Sequence, residues 1–139
     1  MSVIDQIFEK AKLNPQKVVF PEALNEKMMQ AAFEAGNEGY IHPILVGNKA
    51  EIEQAVKERG YDLSVFTIVD MEDEEYRRTL IEKYIALPDT RLKEKALNRR
   101  MQDTLQFATV MQAVGDADVT FAGIDYTTGD VLLAGQMII

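Results

Sequence analysis

The sequence predicts a three-layer α/β domain, a mostly parallel sheet with helices on both faces. Short β-branched or aromatic runs alternate with longer segments whose apolar residues recur every three or four positions, so strands and helices follow one another along the chain. The strand candidates are continuously apolar, as in a sheet covered on both sides. Strand, helix and strand in succession favour parallel pairing through right-handed crossovers.

Taken in order, Ile4, Ile7, Phe8 and Ala11 fall at helical spacing and give a short amphipathic helix ending before Asn14-Pro15. Lys17 to Phe20 reads as a buried strand closed by Pro21. Leu24, Met28, Ala32 and Ala35 place an apolar stripe on a helix that Gly36 or Gly39 terminates, and the Met28-Met29 pair reads as core filling. Ile44 to Val46 makes a second strand ending at Gly47. Ile52, Ala55 and Val56 mark the next helix, stopped by Gly60.

Phe66 to Val69 is a third strand, followed by a helix carrying Tyr76, Leu80, Tyr84 and Leu87 and ending at Pro88. Leu92 to Val114 reads as one longer helix. Its second half is apolar on nearly every side, with Leu105, Phe107, Ala108, Val110, Met111 and Val114, which places it between layers. Asp118 to Ala122 supplies the fourth strand. Gly123 then frees the backbone to turn, and Thr127 stands three residues before Asp130, a capping-box-like opening of a last helix. Leu132, Leu133, Met137, Ile138 and Ile139 form the apolar part of that helix, which has no glycine, basic turn or polar stop. The expectation is that these residues are the amino-terminal part of a longer protein.

The 139 residues fit one domain, and a chain near this length buries roughly 68–70% of the surface its unfolded form exposes. The formal net charge of -8 works against a nucleic-acid or anionic-membrane partner. It leaves room for an anionic small ligand, because a local set of N–H groups binds phosphate at short range. The sequence has no cysteine, which removes disulfide, thiolate and zinc-thiolate chemistry and suits a cytoplasmic location. Met1 to Lys12 carries Asp5, Glu9, Lys10 and Lys12 among its apolar residues and reads as neither signal peptide nor membrane span.

Gly115-Asp116-Ala117-Asp118, Ala122-Gly123, Thr127-Thr128-Gly129-Asp130 and Gln136-Met137-Ile138-Ile139 form a collinear set. In order and spacing it resembles the central signature of phosphate acetyltransferases and their phosphate butyryltransferase relatives. Val18 to Glu22 looks like that family's first strand, and Pro43 to Gly47 like its second. The resemblance implies an isocitrate/isopropylmalate dehydrogenase-like fold of two α/β domains, with the active site in the cleft between them, usually in a homodimer. This chain would be the first domain, residues 1–139, without the second. The implied reaction, a step of acetate metabolism, is acetyl phosphate plus coenzyme A giving acetyl-CoA plus phosphate. Coenzyme A enters as a substrate, and no metal or bound cofactor is implied.

That reaction needs a place for phosphate, donors for the oxyanion of a tetrahedral intermediate, and a group that promotes thiolate formation. The candidate substrate-binding residues are Gly123, Thr127, Thr128, Gly129 and Asp130, through the threonine hydroxyls and the backbone N–H groups of Gly129 and Asp130; no catalytic residue is expected in this stretch. The same residues also suit a plain helix start, with Thr127 as cap and Asp130 complementing the dipole. Two positions depart from the family pattern. Ala122 stands where serine is common, and Leu133 where many members have an arginine. Together with Gly129 and Val119 they point to a divergent branch whose acyl group is propionyl or butyryl rather than acetyl, or to a non-catalytic binding or regulatory module like the carboxy-terminal region of some malic enzymes. The coenzyme-A-contacting arginine of the family is not placed by spacing among Arg77, Arg78, Arg91, Arg99 and Arg100.

Other polar residues read as structural. The acidic run Asp70, Glu72, Asp73, Glu74 and Glu75 precedes a helix and reads as dipole complementation rather than a cation site. His42, the sole histidine, reads as a loop residue, and Glu22 as a solvated loop carboxylate at the carboxyl edge of the sheet. A doubly wound nucleotide-binding domain lacks support, since no Gly-x-Gly-x-x-Gly follows a strand.

Overall fold

The computed structural model describes residues 6, 12–88, 90 and 92–122. The amino-terminal helix expected from Ile4, Ile7, Phe8 and Ala11, and everything from Gly123 onward, lie outside the described residues. Among the described residues four strands form one parallel sheet in the order β3-β2-β1-β4. They are β1 (Gln16–Phe20), β2 (Ile41–Gly47), β3 (Thr67–Asp70) and β4 (Val119–Thr120). Helices α1 (Glu26–Asn37) and α2 (Lys49–Glu58) connect the first three strands, with a short 3-10 turn at Leu63–Val65. Helices α3 (Glu74–Ile85), α4 (Glu94–Arg100) and α5 (Thr104–Ala113) carry the chain from β3 to β4.

Strand alternation sorts the core into two layers. Val18, Phe20 and Leu45 pack with Met28, Met29 and Ala32 of α1 and Ile52 and Val56 of α2. Val19, Ile44 and Val46 point the other way, onto Leu80, Ile81 and Tyr84 of α3, Leu97 of α4, and Phe107, Ala108, Val110 and Met111 of α5. The sheet is therefore covered on both faces, which is why its strands read as continuous apolar runs.

The helix starts follow from capping residues. Asn25 accepts from the N–H groups of Lys27 and Met28, Asn48 from Glu51, and Asp73 from Tyr76. Gly39 (φ 83°) and Gly60 (φ 76°) take the left-handed conformation just past α1 and α2, as their sequence positions predict. Gly36 stays inside α1. Its missing side chain instead allows the helix to settle on Pro43 and Val65, whose side-chain atoms would stand 2.7–2.9 Å from an added β-carbon.

Several boundaries differ from the sequence reading, and β4 is shorter than the expected Asp118 to Ala122, pairing only over Val119–Thr120. The single helix expected from Leu92 to Val114 is broken at Met101–Asp103 into α4 and α5, because Asp103 turns its carboxylate onto the Gln106 N–H and starts a new helix. The apolar half identified as buried is α5, where Leu105, Phe107, Ala108, Val110 and Met111 are all at most 2% exposed. Strand β2 begins earlier than expected, at Ile41, and takes in Pro43. Pairing to β3 starts only at Ile44, so the proline sits at a ladder end where a missing N–H is tolerated.

Candidate functional site

The strand order defines where a ligand site belongs. The chain moves outward from β1 to β2 to β3, then returns to pair β4 on the other side of β1. In open α/β sheets the crevice at such a reversal, beyond the carboxyl ends of the two strands, is the usual ligand position. Here it lies past Phe20 of β1 and Thr120 of β4. The residues at its rim are Pro21 and Glu22 after β1, and Phe121 and Ala122 after β4.

Phe121 is held by its backbone, whose N–H donates to the Val19 carbonyl at 3.0 Å. Its ring lies 5.8 Å from that of Phe20, tilted by 54°, and the residue keeps 52% of its surface exposed while Phe20 keeps 3%. Ala122 is half-buried. Glu22 corrects the sequence reading: it is 6% exposed, a buried carboxyl-bearing residue rather than a solvated one. The turn Pro21–Asn25 folds back on itself, with the Asn25 N–H donating to the Glu22 carbonyl. The local sequence carried no signal for that burial.

The five candidate substrate-binding residues, Gly123, Thr127, Thr128, Gly129 and Asp130, lie outside the described residues, as does Leu133. In sequence they follow Ala122, the last described residue. The starts of α1, α2, α3 and α5 each have their own side-chain cap.

The two aspartates of the Gly-Asp-Ala-Asp motif lie away from the crevice, at the amino edge of the sheet, and are structural. Asp118 accepts from the Lys17 N–H at 2.9 Å and returns its own N–H to the Lys17 carbonyl at 2.8 Å, which pins β4 beside the start of β1. Asp116 accepts from the Tyr76 hydroxyl and the Lys83 ammonium, both at 2.9 Å, and ties the α5–β4 connection to α3. Burial, then the hydrogen bond and charge of Asp116, hold the Tyr76 hydroxyl well above its ordinary range.

The arginines separate by environment. Arg77 is 8% exposed, donates from Nη2 to the carbonyls of Met71 (2.9 Å) and Met101 (3.2 Å), and lies over the Phe107 ring. It fastens the β3–α3 turn to the α4–α5 turn. Arg78 lines a cleft of about 800 Å³ between α3 and α4. Arg99 and Arg100 line a second hollow where α4 gives way to α5, with Gln106. Arg91 is outside the described residues. His42 is an exposed residue of β2, opposite Lys17 at the amino edge, and so belongs to a strand rather than a loop. In the acidic run, Asp73 caps α3, Asp70 accepts from the Glu72 N–H, and Glu74 and Glu75 occupy the first turn. Among the described residues no three acidic or histidine side chains converge as a metal site, and no helix is long and apolar enough to cross a membrane.

Known proteins are similar to this chain in sequence and in fold. A phosphate acetyltransferase from Thermoanaerobacterium thermosaccharolyticum is 29% identical over 140 residues, taking in 100% of this chain and 42% of that protein. The phosphate acetyltransferase of Bacillus subtilis is 27% identical over 131 residues, covering 94% of this chain and 41% of its own length. A phosphotransacetylase crystal structure from Streptococcus pyogenes has the same fold, with a TM-score of 0.87 at 22% identity, over 100% of this chain and 43% of that one. The chain thus spans about two fifths of the length of the curated relatives it matches. The family model described as phosphate acetyl/butaryl transferase matches residues 2–139, and the chain belongs to that family.

Proposed function

We propose that the complete protein is a phosphate acyltransferase, and that this chain is its amino-terminal domain and one wall of its active-site cleft. The reaction is acetyl phosphate plus coenzyme A giving acetyl-CoA plus phosphate. The thiol sulfur attacks the acyl carbon, the carbon–oxygen bond to phosphate breaks, phosphate leaves and the thiol gives up its proton. The chemistry calls for electrostatic stabilisation and proton transfer, without a metal or resident cofactor. The observation that carries the reading is the reversal of strand order between β1 and β4, with the chain running from its rim directly into Gly123, Thr127, Thr128, Gly129 and Asp130.

Those threonine hydroxyls and backbone N–H groups hold the phosphate or the acyl carbonyl, and Gly123 lets substrate approach the backbone. Groups for the remaining steps come from the rest of the protein, so the 139-residue chain alone does not turn over. The working assembly is a homodimer in the cytoplasm. The acyl group is acetyl, with propionyl or butyryl as the variant that Ala122 and Leu133 favour. Those two residues also support a second reading, a transferase-like module that binds without catalysis, because a leucine cannot replace the bidentate phosphate contact of an arginine.

The deciding experiment is thioester formation by the complete native polypeptide, given coenzyme A with acetyl, propionyl or butyryl phosphate. Turnover establishes the transferase. Folded protein that turns over none of them leaves the binding module.

A further inference from the structure

We propose that the hollow at the α4–α5 turn is a binding site for inorganic phosphate, held by Arg99, Arg100 and Gln106 and separate from the β1–β4 crevice. It rests on no part of the acyltransferase reading.

Among the described residues three buried side-chain nitrogen or oxygen atoms have no hydrogen-bond partner: Arg77 Nη1, Arg100 Nε and Gln106 Oε1. All three gather about one turn. Arg77 holds it from α3 by donating to the Met101 carbonyl at 3.2 Å, and Arg100 and Gln106 stand on either side of it. Buried polar groups are nearly always paired, so a cluster of exceptions calls for a partner. Arg100 and Gln106 also line one hollow of about 630 Å³, with Arg99, Gln102 and Asp103.

The arginines of that hollow have no internal counter-charge. Neither forms an ion pair with a described residue. Asp103, the one acidic residue of the lining, turns its carboxylate onto the Gln106 N–H to cap α5. Arg99 and Arg100 close α4, where cations complement the carbonyl end of a helix. That accounts for their charge, but not for a guanidinium N–H buried without an acceptor in a protein of net charge -8. The turn is also set in place. The N–H groups of Gln102 and Asp103 donate to the carbonyls of Arg99 and Arg100 at 3.3 and 3.2 Å, and Met101 between them is fully buried.

The two unmet atoms of the hollow define the ligand. Arg100 offers a donor and Gln106 an acceptor, so the ligand carries both an oxygen that accepts and a hydroxyl that donates. A carboxylate or a sulfate only accepts. Inorganic phosphate at neutral pH keeps a P–OH beside its charged oxygens, and those oxygens match the guanidinium fork. A water molecule satisfies both atoms too, but leaves two adjacent guanidinium groups without an anion.

The test is calorimetric titration of the complete native polypeptide with phosphate and with sulfate, in saturating acetyl phosphate so that a substrate crevice is already filled. Wild type is compared with Arg99→Gln, Arg100→Gln and Gln106→Leu. Wild type is expected to bind phosphate about tenfold more tightly than sulfate. Arg100→Gln weakens both anions about tenfold, and Arg99→Gln, at an exposed position that does not put folding at stake, weakens both as well. Gln106→Leu brings phosphate down to the level of sulfate, a ratio within one variant that partial misfolding does not imitate. Equal affinity of wild type for the two anions, or phosphate binding unchanged in both arginine variants, overturns the proposal. So does the loss of all phosphate binding in acetyl phosphate, which assigns the anion to the substrate crevice instead.

Discussion

The Tyr76 hydroxyl donates to Asp116 at 2.9 Å across 40 positions of sequence, so the second residue of the Gly-Asp-Ala-Asp motif serves as an anchor for α3. Removing the hydroxyl in Tyr76→Phe takes away this donor and leaves Asp116 paired with the Lys83 ammonium. The expected loss is about 1–2 kcal/mol of folding stability at neutral pH, since a hydrogen bond to a charged acceptor is worth more than a neutral one. Urea unfolding of both proteins checks it.

The same hydroxyl carries a pH signature. Its folded-state pKa is raised from the ordinary value of 10.0, by burial first and by Asp116 second. The folded protein therefore keeps a proton that the unfolded chain releases. This stabilisation is complete below pH about 10 and is lost as pH rises beyond it. Stability measured between pH 9 and 11 is expected to fall more steeply in wild type than in Tyr76→Phe; parallel curves would refute the assignment.

Gly36→Ala sets two effects against each other. Alanine in a helix interior is favoured over glycine by about 1 kcal/mol. The new β-carbon, however, would meet the Pro43 ring at 2.7 Å and Val65 at 2.9 Å, neither of which is the end of a flexible chain. Overpacking of this kind costs about 1–3 kcal/mol, so the net change is destabilising. It should appear as a lower denaturant midpoint at unchanged m.

Arg77→Met removes the donor that serves the Met71 and Met101 carbonyls. Loss of charged hydrogen bonds to buried acceptors predicts about 2–4 kcal/mol of destabilisation. Arg77→Lys should recover only part, because one ammonium does not reproduce the guanidinium fork. Thermal melting of the three proteins orders them.

On the acyltransferase reading, Thr128→Val in the complete polypeptide removes one proposed donor to the substrate. The expected fall in kcat/KM is about 100-fold, with little change in stability. If Thr128 only supports a helix start, the melting temperature moves and kcat/KM does not.

The family was legible as a resemblance, carried by a collinear set of motifs spread from Val18 to Ile139. Local chemistry determined the element types, the glycine stops and the two-faced burial of the strands, which depend on residues within a few positions of one another, where periodicity and glycine conformations act directly. The break at Asp103 was legible in principle, as an aspartate three residues before an N–H it caps, but the apolar run around it hid the signal. Four other features were decided only by the tertiary structure: the order β3-β2-β1-β4, the burial of Glu22, the half-exposed ring of Phe121, and the Tyr76–Asp116 anchor. Each joins segments far apart in sequence, and such pairings depend on which surfaces exclude water together, a property that no local window contains.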